Sequence, residues 1–273
     1  MRVPRRPLAL FAALFLYAGA VHARQAPAPP ISPEAMEAFL LNAELSDIRG
    51  AGAGVTDSLR ATASDGRLTH DVHIQAVDDR RSGIIVAGRA ELNFRDSYNY
   101  NIAAYRLAVL LGMDSVPMSV RRAVRGVPAA VTWWVDDVAM TERERFEQST
   151  LGPNPAVTAQ QFYGMYVFDE LIQNRDRNRG NALWTSDWKL WLIDHTRAFR
   201  PDVELTRPER LSRIGRDLLE GLRQLTPEAL DAAMDGVLDR PLRSAVIQRR
   251  DLLVQHFDER IARLGEAAVV IDP

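Results

Sequence analysis

The residues best suited to chemistry lie in one short polar stretch, QNRDRNRGN, between Gln173 and Asn181. It holds three arginines, three asparagines and one aspartate, a composition that fits a solvated basic loop, an RNA-binding patch or an active site. RNA-binding segments interleave basic residues with aromatic ones, and this stretch has no aromatic residue. We expect its arginines, Arg177 above all, to brace the loop by pairing with neighbouring carboxylates.

The spacing of the acidic and amide residues fits phosphoryl transfer. That reaction needs a carboxylate to orient or deprotonate the acceptor hydroxyl, and oxygen ligands to hold a divalent metal on the donor phosphates. Asp176 and Asn181 are five positions apart, and Asp194 follows Asp176 by 18 positions at the end of an apolar segment. Residues 182–184 and 189–193 can pair across a turn at 185–187, which predicts a β-hairpin. Such a hairpin would return Asp194 to the side of Asp176.

The elements that must position these residues form two halves. The first is β-rich: after a short helix beginning at Pro33, residues 49–86 alternate like strands, and strands are also predicted on both sides of a turn at Arg125 and Gly126. One helix, at 102–111, interrupts this half. After Asp137 the pattern is mainly helical, with helices predicted at 159–173, 208–224, 227–237 and 242–264.

Composition limits the classes of function. The chain has 273 residues and 47% hydrophobic content, enough for one large domain or two closely packed lobes. Its 34 basic and 36 acidic residues give a formal charge of −2, so no global field attracts nucleic acid or an anionic membrane. The absence of cysteine excludes disulfides and thiolate chemistry.

The N-terminus predicts export. Three early arginines precede an apolar run of 13 residues, and small residues around Ala23 suit cleavage by a signal peptidase. The run is short for a membrane span, so we expect no stable membrane insertion and a mature chain that is periplasmic or secreted; an uncleaved anchor is the alternative. The predicted organisation is a signal peptide (1–23), a proline-rich tether (24–33), an N-lobe (34–136) and a helical C-lobe (137–273).

The segment FDELIQNRDRNRGNALWTSDWKLWLIDHTRAF, together with NIAAYRLAVLLGMDSVP, resembles the core of the atypical kinases. These include the HipA-like kinases, the type II phosphatidylinositol 4-kinases and the secretory-pathway casein kinases. The resemblance spans residues 49–199 and implies an α+β, bilobal protein-kinase-like fold. It also implies that Asp176 is the catalytic-loop aspartate, that Asn181 is a metal ligand from that loop, and that Asp194 is the main metal-binding aspartate.

Two positions depart from the kinase pattern. Kinases use a strand lysine, held by a helix glutamate, to contact the nucleotide phosphates. This chain has Gln75 at the expected lysine and Asn101 at the expected glutamate. Two amides can keep a hydrogen bond, but losing the charges weakens phosphate binding by about 1.5–3 kcal/mol. Arg89 and Arg95 are candidates for a substitute cation.

The stretch RGAGAGV, with Gly50, Gly52 and Gly54, precedes the Gln75 strand and is a candidate phosphate-covering loop. A flexible turn explains the same glycines equally well. Gly50, Gly52, Gly54, Gln75 and Asn101 are thus the predicted nucleotide-binding residues.

The histidines and tryptophans are better explained by packing than by catalysis or ligand binding. His70 and His73 are three apart on a predicted strand and so face opposite sides, which disfavours joint metal binding. The five tryptophans suit core packing, and no G-x-S-x-G nucleophile motif is present.

We therefore expect an exported phosphotransferase that uses ATP or another nucleotide with Mg²⁺ or Mn²⁺. Its acceptor, whether protein, lipid or small molecule, is not encoded in recognisable residues, and we expect no nucleic-acid partner. Two alternatives stay open: a pseudokinase that binds nucleotide or serves as a scaffold, and an enzyme that transfers AMP.

Overall fold

The computed structural model describes residues 31–51, 58–86 and 89–272. The predicted signal peptide, most of the tether, and Gly52 and Gly54 lie outside these residues. The described chain from Ser32 onward packs as one unit.

Strands predominate in the first part of the described chain and helices in the second. The strands are β1 (Glu44–Gly50), β2 (Leu59–Ser64), β3 (Thr69–Gln75), β4 (Asp78–Val86), β5 (Arg89–Ser97), β6 (Ser119–Val124), β7 (Val127–Trp133), β8 (Val138–Thr141), β9 (Ala182–Thr185), β10 (Leu190–Leu192), β11 (Ile214–Gly215) and β12 (Val270–Ile271). The helices are α1 (Pro33–Asn42), α2 (Asn99–Leu110), α3 (Glu142–Glu147), α4 (Pro155–Leu171), α5 (Arg216–Gln224), α6 (Pro227–Ala233), α7 (Arg240–Leu264) and α8 (Glu266–Val269). Most strands therefore precede α3, and most helices follow it.

A five-stranded antiparallel sheet forms the N-terminal region, in the order β1-β2-β3-β7-β6. One of its faces is apolar: Val72 and Ile74 of β3 pack with Phe39 and Leu40 of α1. Strand residues alternate between faces, so His73 and Gln75 point to the opposite side. That side faces the region of the candidate site.

Three helices begin with the same local device. At the starts of α1, α4 and α6, a capping side chain accepts a hydrogen bond from the first-turn backbone and a proline occupies the first helical position. The caps are Ser32, Asn154 and Thr226. Proline suits this position because it lacks the N–H that would be left without a hydrogen bond there. The cap and the proline together determine where each helix begins.

The α+β fold class is confirmed, and the predicted hairpin at 182–193 is present as β9 and β10. The prediction of one helix over 208–224 is wrong: residues 208–210 form a single 3-10 turn, and α5 starts at Arg216. Ile214 is buried and pairs in parallel with Val270, a contact with the far end of the chain that a local pattern cannot show. Strand β5 and the short β8 were also not predicted.

No helix in the described ranges combines the length and apolarity needed to cross a bilayer.

Arg249, on α7, connects the helical region to the loop that follows α4. Its side chain is fully buried, and its guanidinium donates to the carbonyl oxygens of Leu171 at 2.7 Å, Arg200 at 2.9 Å and Asp202 at 2.5 Å. Burial lowers its pKa to about 10, which leaves it charged at neutral pH. One side chain therefore fixes the end of α4 relative to the segment after Phe199.

Replacing Arg249 with Met should destabilise the protein by about 3–5 kcal/mol, because a fully buried side chain loses its hydrogen bonds and three carbonyl groups, that of Leu171 buried, lose their donor. Urea unfolding of the mature chain measures this change. Arg240→Met, at an exposed position of the same helix, is the matched control. Equal stability of the two variants would contradict a fixing role for Arg249.

Candidate active site

The loop after α4 is held in shape by its own polar groups. Gln173 adopts a left-handed backbone conformation (φ 48°). The backbone N–H of Asn174 donates to the backbone carbonyl of Asp169 at 2.8 Å. The Asn174 side chain then accepts from the backbone N–H of Asp176 at 3.1 Å. The carboxylate of Asp176 is about half exposed (51%), so a ligand can reach it.

Arg177 is the buried brace of this loop, as the sequence predicted. Its guanidinium contacts the Asp169 carboxylate at 3.1 Å and donates to the carbonyls of Asn181 and Ile193, both at 2.7 Å. It also donates to Nε2 of His195 at 2.9 Å. Burial lowers the pKa of His195 well below its usual value, and the charge of Arg177 acts in the same direction. His195 is therefore a neutral acceptor.

The hairpin brings Asn181 and Asp194 together. The backbone N–H of Ile193 donates to the carbonyl of Asn181 at 3.1 Å, so the residue before Asp194 is bonded directly to the end of the loop. Asp194 has φ of 53°, a region that costs energy for a residue with a side chain and that often occurs at functional sites. The hydroxyl of Thr196 donates to its Oδ1 at 3.1 Å and helps hold this conformation.

Gln75 and Asn101 face each other, as their positions predicted. The side-chain nitrogen of Asn101 donates to Oε1 of Gln75 at 2.8 Å, and both side chains are buried. The Asn101 oxygen accepts from the backbone N–H of His195 at 2.8 Å. One neutral side chain on α2 therefore joins β3 to the turn that carries Asp194.

Asp96, which the sequence analysis missed, adds a third carboxylate to this region. It lies at the end of β5, it is only 7% exposed, and no donor among the described residues reaches its Oδ1. Burial raises its pKa, a hydrogen bond from Thr196 opposes this, and the negative charge of Asp194 raises it further. The next residue, Ser97, donates its N–H to the carbonyl of Thr196 at 2.9 Å. The only sequence signal was a polar residue within an unrecognised strand.

Arg197 supplies the positive charge beside these acids. Its guanidinium lies 3.7 Å from the Asp176 carboxylate and 4.9 Å from the ring centre of Phe94. Its charge also lowers the pKa of Asp96. Asp96, Asp176 and Asp194 thus interact electrostatically around one arginine.

The two strand histidines lie on opposite faces, as predicted. His70 stacks on Trp133 with ring centres 3.8 Å apart and contacts the carboxylate of Asp136 at 2.7 Å. His73 lies on the face of Gln75. Burial lowers its pKa, and the charge of Asp194 opposes this effect. His73 is therefore close enough to Asp194 to sense its charge.

Several predicted nucleotide-binding groups are not in contact with this cluster. Gly50 lies at the end of β1, and no contact of it with the cluster is seen. The guanidinium of Arg95, a candidate substitute for the missing lysine, is paired with Asp239 at 3.4 Å. Among the described residues, no three histidine, cysteine or acidic side chains converge closely enough to hold a metal by themselves. The predicted ligand pair, Asn181 and Asp194, has only one acid.

Comparison with solved structures shows that the fold is similar to that of several kinases. No family model and no curated protein matches the chain. The structure of hydra Fam20 with sugar aligns over 88% of this chain and 92% of its own, with a TM-score of 0.66 and 16% identity. The Golgi casein kinase with Mn/ADP bound aligns over 87% and 78%, with a TM-score of 0.63 and 12% identity. The Helicobacter pylori proinflammatory kinase CtkA aligns over 82% and 98%, with a TM-score of 0.51 and 11% identity. The chain therefore has an atypical kinase-like fold.

The amide pair generates a stability prediction. Asn101→Leu should cost about 2–4 kcal/mol, because it leaves the Gln75 oxygen and the His195 N–H without this partner. In a double-mutant cycle with Gln75→Leu, the two losses should be less than additive by about 0.5–1.5 kcal/mol. Denaturant unfolding of the four proteins measures the coupling. Strict additivity would mean that the Gln75–Asn101 bond contributes nothing to the folded state.

Proposed function

We propose that the chain is a kinase-like phosphotransferase that moves a phosphoryl group from a nucleotide to a hydroxyl acceptor. The observation that carries this proposal is the backbone bond between Ile193 and Asn181, which connects the Asp176–Asn181 loop to Asp194 within a kinase-like fold. The three residue types are those that phosphoryl transfer requires. Asp176, Asn181 and Asp194 are the proposed catalytic residues.

Asp176 is the proposed residue for the acceptor. Its carboxylate is accessible and can accept a hydrogen bond from an acceptor hydroxyl, orienting the oxygen and receiving its proton. The guanidinium of Arg197 lies 3.7 Å from this carboxylate, on a side chain that is itself mostly buried.

A divalent metal fits the charges of the site. Asp96 has a buried carboxylate oxygen that accepts no hydrogen bond from the described residues. The negative charges of Asp194 and Asp176 repel the negative charge of Asp96 and raise its pKa. The Thr196 hydroxyl, which has one proton, is bonded to both Asp96 and Asp194 and can donate to only one carboxylate at a time. Asn181 and Asp194 would hold Mg²⁺ or Mn²⁺, with Asp96 as an additional carboxylate. When bound, the metal would neutralise negative charge on the donor phosphates.

The proposal that the chain binds a nucleotide is based on its fold and on the Gln75–Asn101 pair. The Golgi casein kinase of similar fold was solved with Mn/ADP bound, which supports ATP or a related nucleotide as the donor. The Gly50, Gly52 and Gly54 stretch is the proposed cover for its phosphates. Gln75 and Asn101 would border the phosphates with amide groups where kinases have charges.

A pseudokinase is the second candidate, and the same amide pair favours it. Gln75 and Asn101 are hydrogen-bonded to each other without charge, so this pair does not supply the cation that usually offsets the phosphates. The N-terminal apolar run supports export, and the periplasm is not expected to hold an ATP pool. Under this alternative the chain would bind nucleotide weakly, or would act as a scaffold for a partner in the exported compartment.

Metal-dependent nucleotide binding is the first test. Thermal-shift titration of the mature chain with ATP should give a shift that requires Mg²⁺ or Mn²⁺, because only the folded state binds. Asp194→Asn should lower the affinity for Mn²⁺ at least about tenfold, and Asp96→Asn should lower it by a similar factor, both measured by the paramagnetic signal of free Mn²⁺. Asp187→Asn, in the exposed hairpin turn, is the control. No shift with any nucleotide and metal would sink the active-kinase proposal.

Transfer of label then separates the remaining functions. With ATP labelled at the γ-phosphate, a kinase labels its acceptor or itself, whereas an AMP transferase does so only with label at the α-phosphate. Asp176→Asn should slow transfer by about 10²–10⁴-fold while leaving Mn²⁺ affinity nearly unchanged. Binding without transfer from either position would favour the pseudokinase.

Restoring the missing charges tests the role of the amide pair. The double variant Gln75→Lys/Asn101→Glu should bind ATP with metal about tenfold more tightly, because a charge-assisted hydrogen bond contributes about 1.5–3 kcal/mol and a neutral one about 0.5–1.5 kcal/mol. Glu at position 101 can still accept from the His195 N–H. Each single variant buries an unpaired charge and should be less stable than the double variant. A folded double variant with unchanged ATP affinity would show that the phosphates do not bind beside this pair.

A further inference from the structure

A cavity of about 440 Å³ lies beside the catalytic loop, on the side bounded by α3 and α4. Residues of the loop itself, Arg175 and Arg177, line it, and they flank Asp176 in sequence. The segment containing Arg207 and Arg210 closes another side. Its volume falls in the range of small-molecule sites.

The acidic residues of the cavity wall already have hydrogen-bond partners. Glu142 accepts from Arg145 at 2.6 Å and from the indole N–H of Trp184 at 2.9 Å. Asp169 is paired with Arg177 at 3.1 Å. Glu170 accepts from both the backbone N–H and the hydroxyl of Thr206, at 2.7 and 2.8 Å. Two of the three carboxylates are thus paired with arginines, and both oxygens of the third accept hydrogen bonds from Thr206.

The arginines of the wall exceed these acids. Six arginines and three acidic residues line the cavity, in a chain whose formal charge is −2. Arg175 is paired with Asp202 at 3.0 Å, and both side chains are about half exposed. Arg179, Arg207 and Arg210 form no ion pair with any residue in the described part of the chain. The cavity therefore has a surplus of positive charge.

Two of these three arginines are held in place by aromatic rings. The guanidinium carbon of Arg179 lies 3.5 Å from the ring centre of Phe146, and that of Arg210 lies 5.4 Å from the ring centre of Tyr166. Both rings also line the cavity. Stacking on a ring orients a guanidinium and leaves its N–H donors, which lie in its plane, open to a ligand.

We propose that this cavity is a binding site for a phosphate group carried by a small molecule or a side chain. Guanidinium groups bind phosphate through paired N–H donors, and three of them without carboxylate partners suit a dianion with several acceptor oxygens. The site is separate from the proposed metal site at Asp194, and its occupation does not require phosphoryl transfer.

The test is direct binding of inorganic phosphate to the mature chain without nucleotide or metal. Isothermal titration with phosphate should give saturable binding that is absent with chloride at the same ionic strength. Arg179→Gln/Arg210→Gln should weaken phosphate binding at least tenfold. Arg240→Gln/Arg263→Gln removes two charges from exposed positions of α7 and should bind phosphate like the unaltered chain. A phosphoserine peptide and glucose 6-phosphate, titrated in parallel, assign the source of the phosphate group.

The proposal is overturned if chloride and phosphate give the same heat, or if the Arg179/Arg210 variant keeps full phosphate affinity. Arg207→Gln is a variant that should not unfold the protein, because the side chain of Arg207 has no partner among the described residues. This single variant should also weaken binding, by about threefold or more, with an unchanged melting temperature. Since the measurement contains no nucleotide, a failed phosphotransfer assay does not affect its outcome.

Discussion

The site depends on one buried guanidinium, that of Arg177. It contacts α4 through Asp169, the end of the loop through the Asn181 carbonyl, the hairpin through the Ile193 carbonyl, and the following turn through His195. Four points between Asp169 and His195 are therefore positioned by one rigid, planar group. A lysine could not replace it, because a single ammonium lacks the fixed fork of donors that reaches all four acceptors. Burial lowers the pKa of His195, and the charge of Arg177 lowers it further.

The Gln75–Asn101 pair shows how a kinase-like arrangement can keep its geometry without its charge. The Asn101 amide donates to Gln75 and accepts from the His195 N–H, so the strand, the helix and the Asp194 turn stay connected. In an ion pair the same connection would carry a positive charge toward the phosphates. Here positive charge near the acids comes from Arg197, which lies beside Asp176 instead. The fold therefore persists with a neutral hydrogen bond in place of the ion pair that kinases have here.

The sequence predicted what local patterns encode. Polar spacing and alternating apolar residues located the loop and the hairpin, and the kinase resemblance placed Gln75 opposite Asn101, 26 positions away. Asp96 and Arg249 were not predicted, because their importance comes from burial against distant segments. A polar residue in a strand, or an arginine in an amphipathic helix, normally faces solvent, and nothing in the local sequence marks these two as buried. The parallel pairing of Ile214 near the C-terminus was missed for the same reason.

The loop separates opposite charges over a short stretch of chain. Asp176 lies with Arg197 and senses Asp96, whereas Arg179 lies over Phe146 in the arginine-lined cavity. The two groups of charge attract ligands of opposite sign. A cation would be drawn to the carboxylates and an anion to the cavity. A molecule that carries both a hydroxyl and a phosphate group would then be oriented by the cavity, and the reach between its two groups would determine whether the hydroxyl meets Asp176.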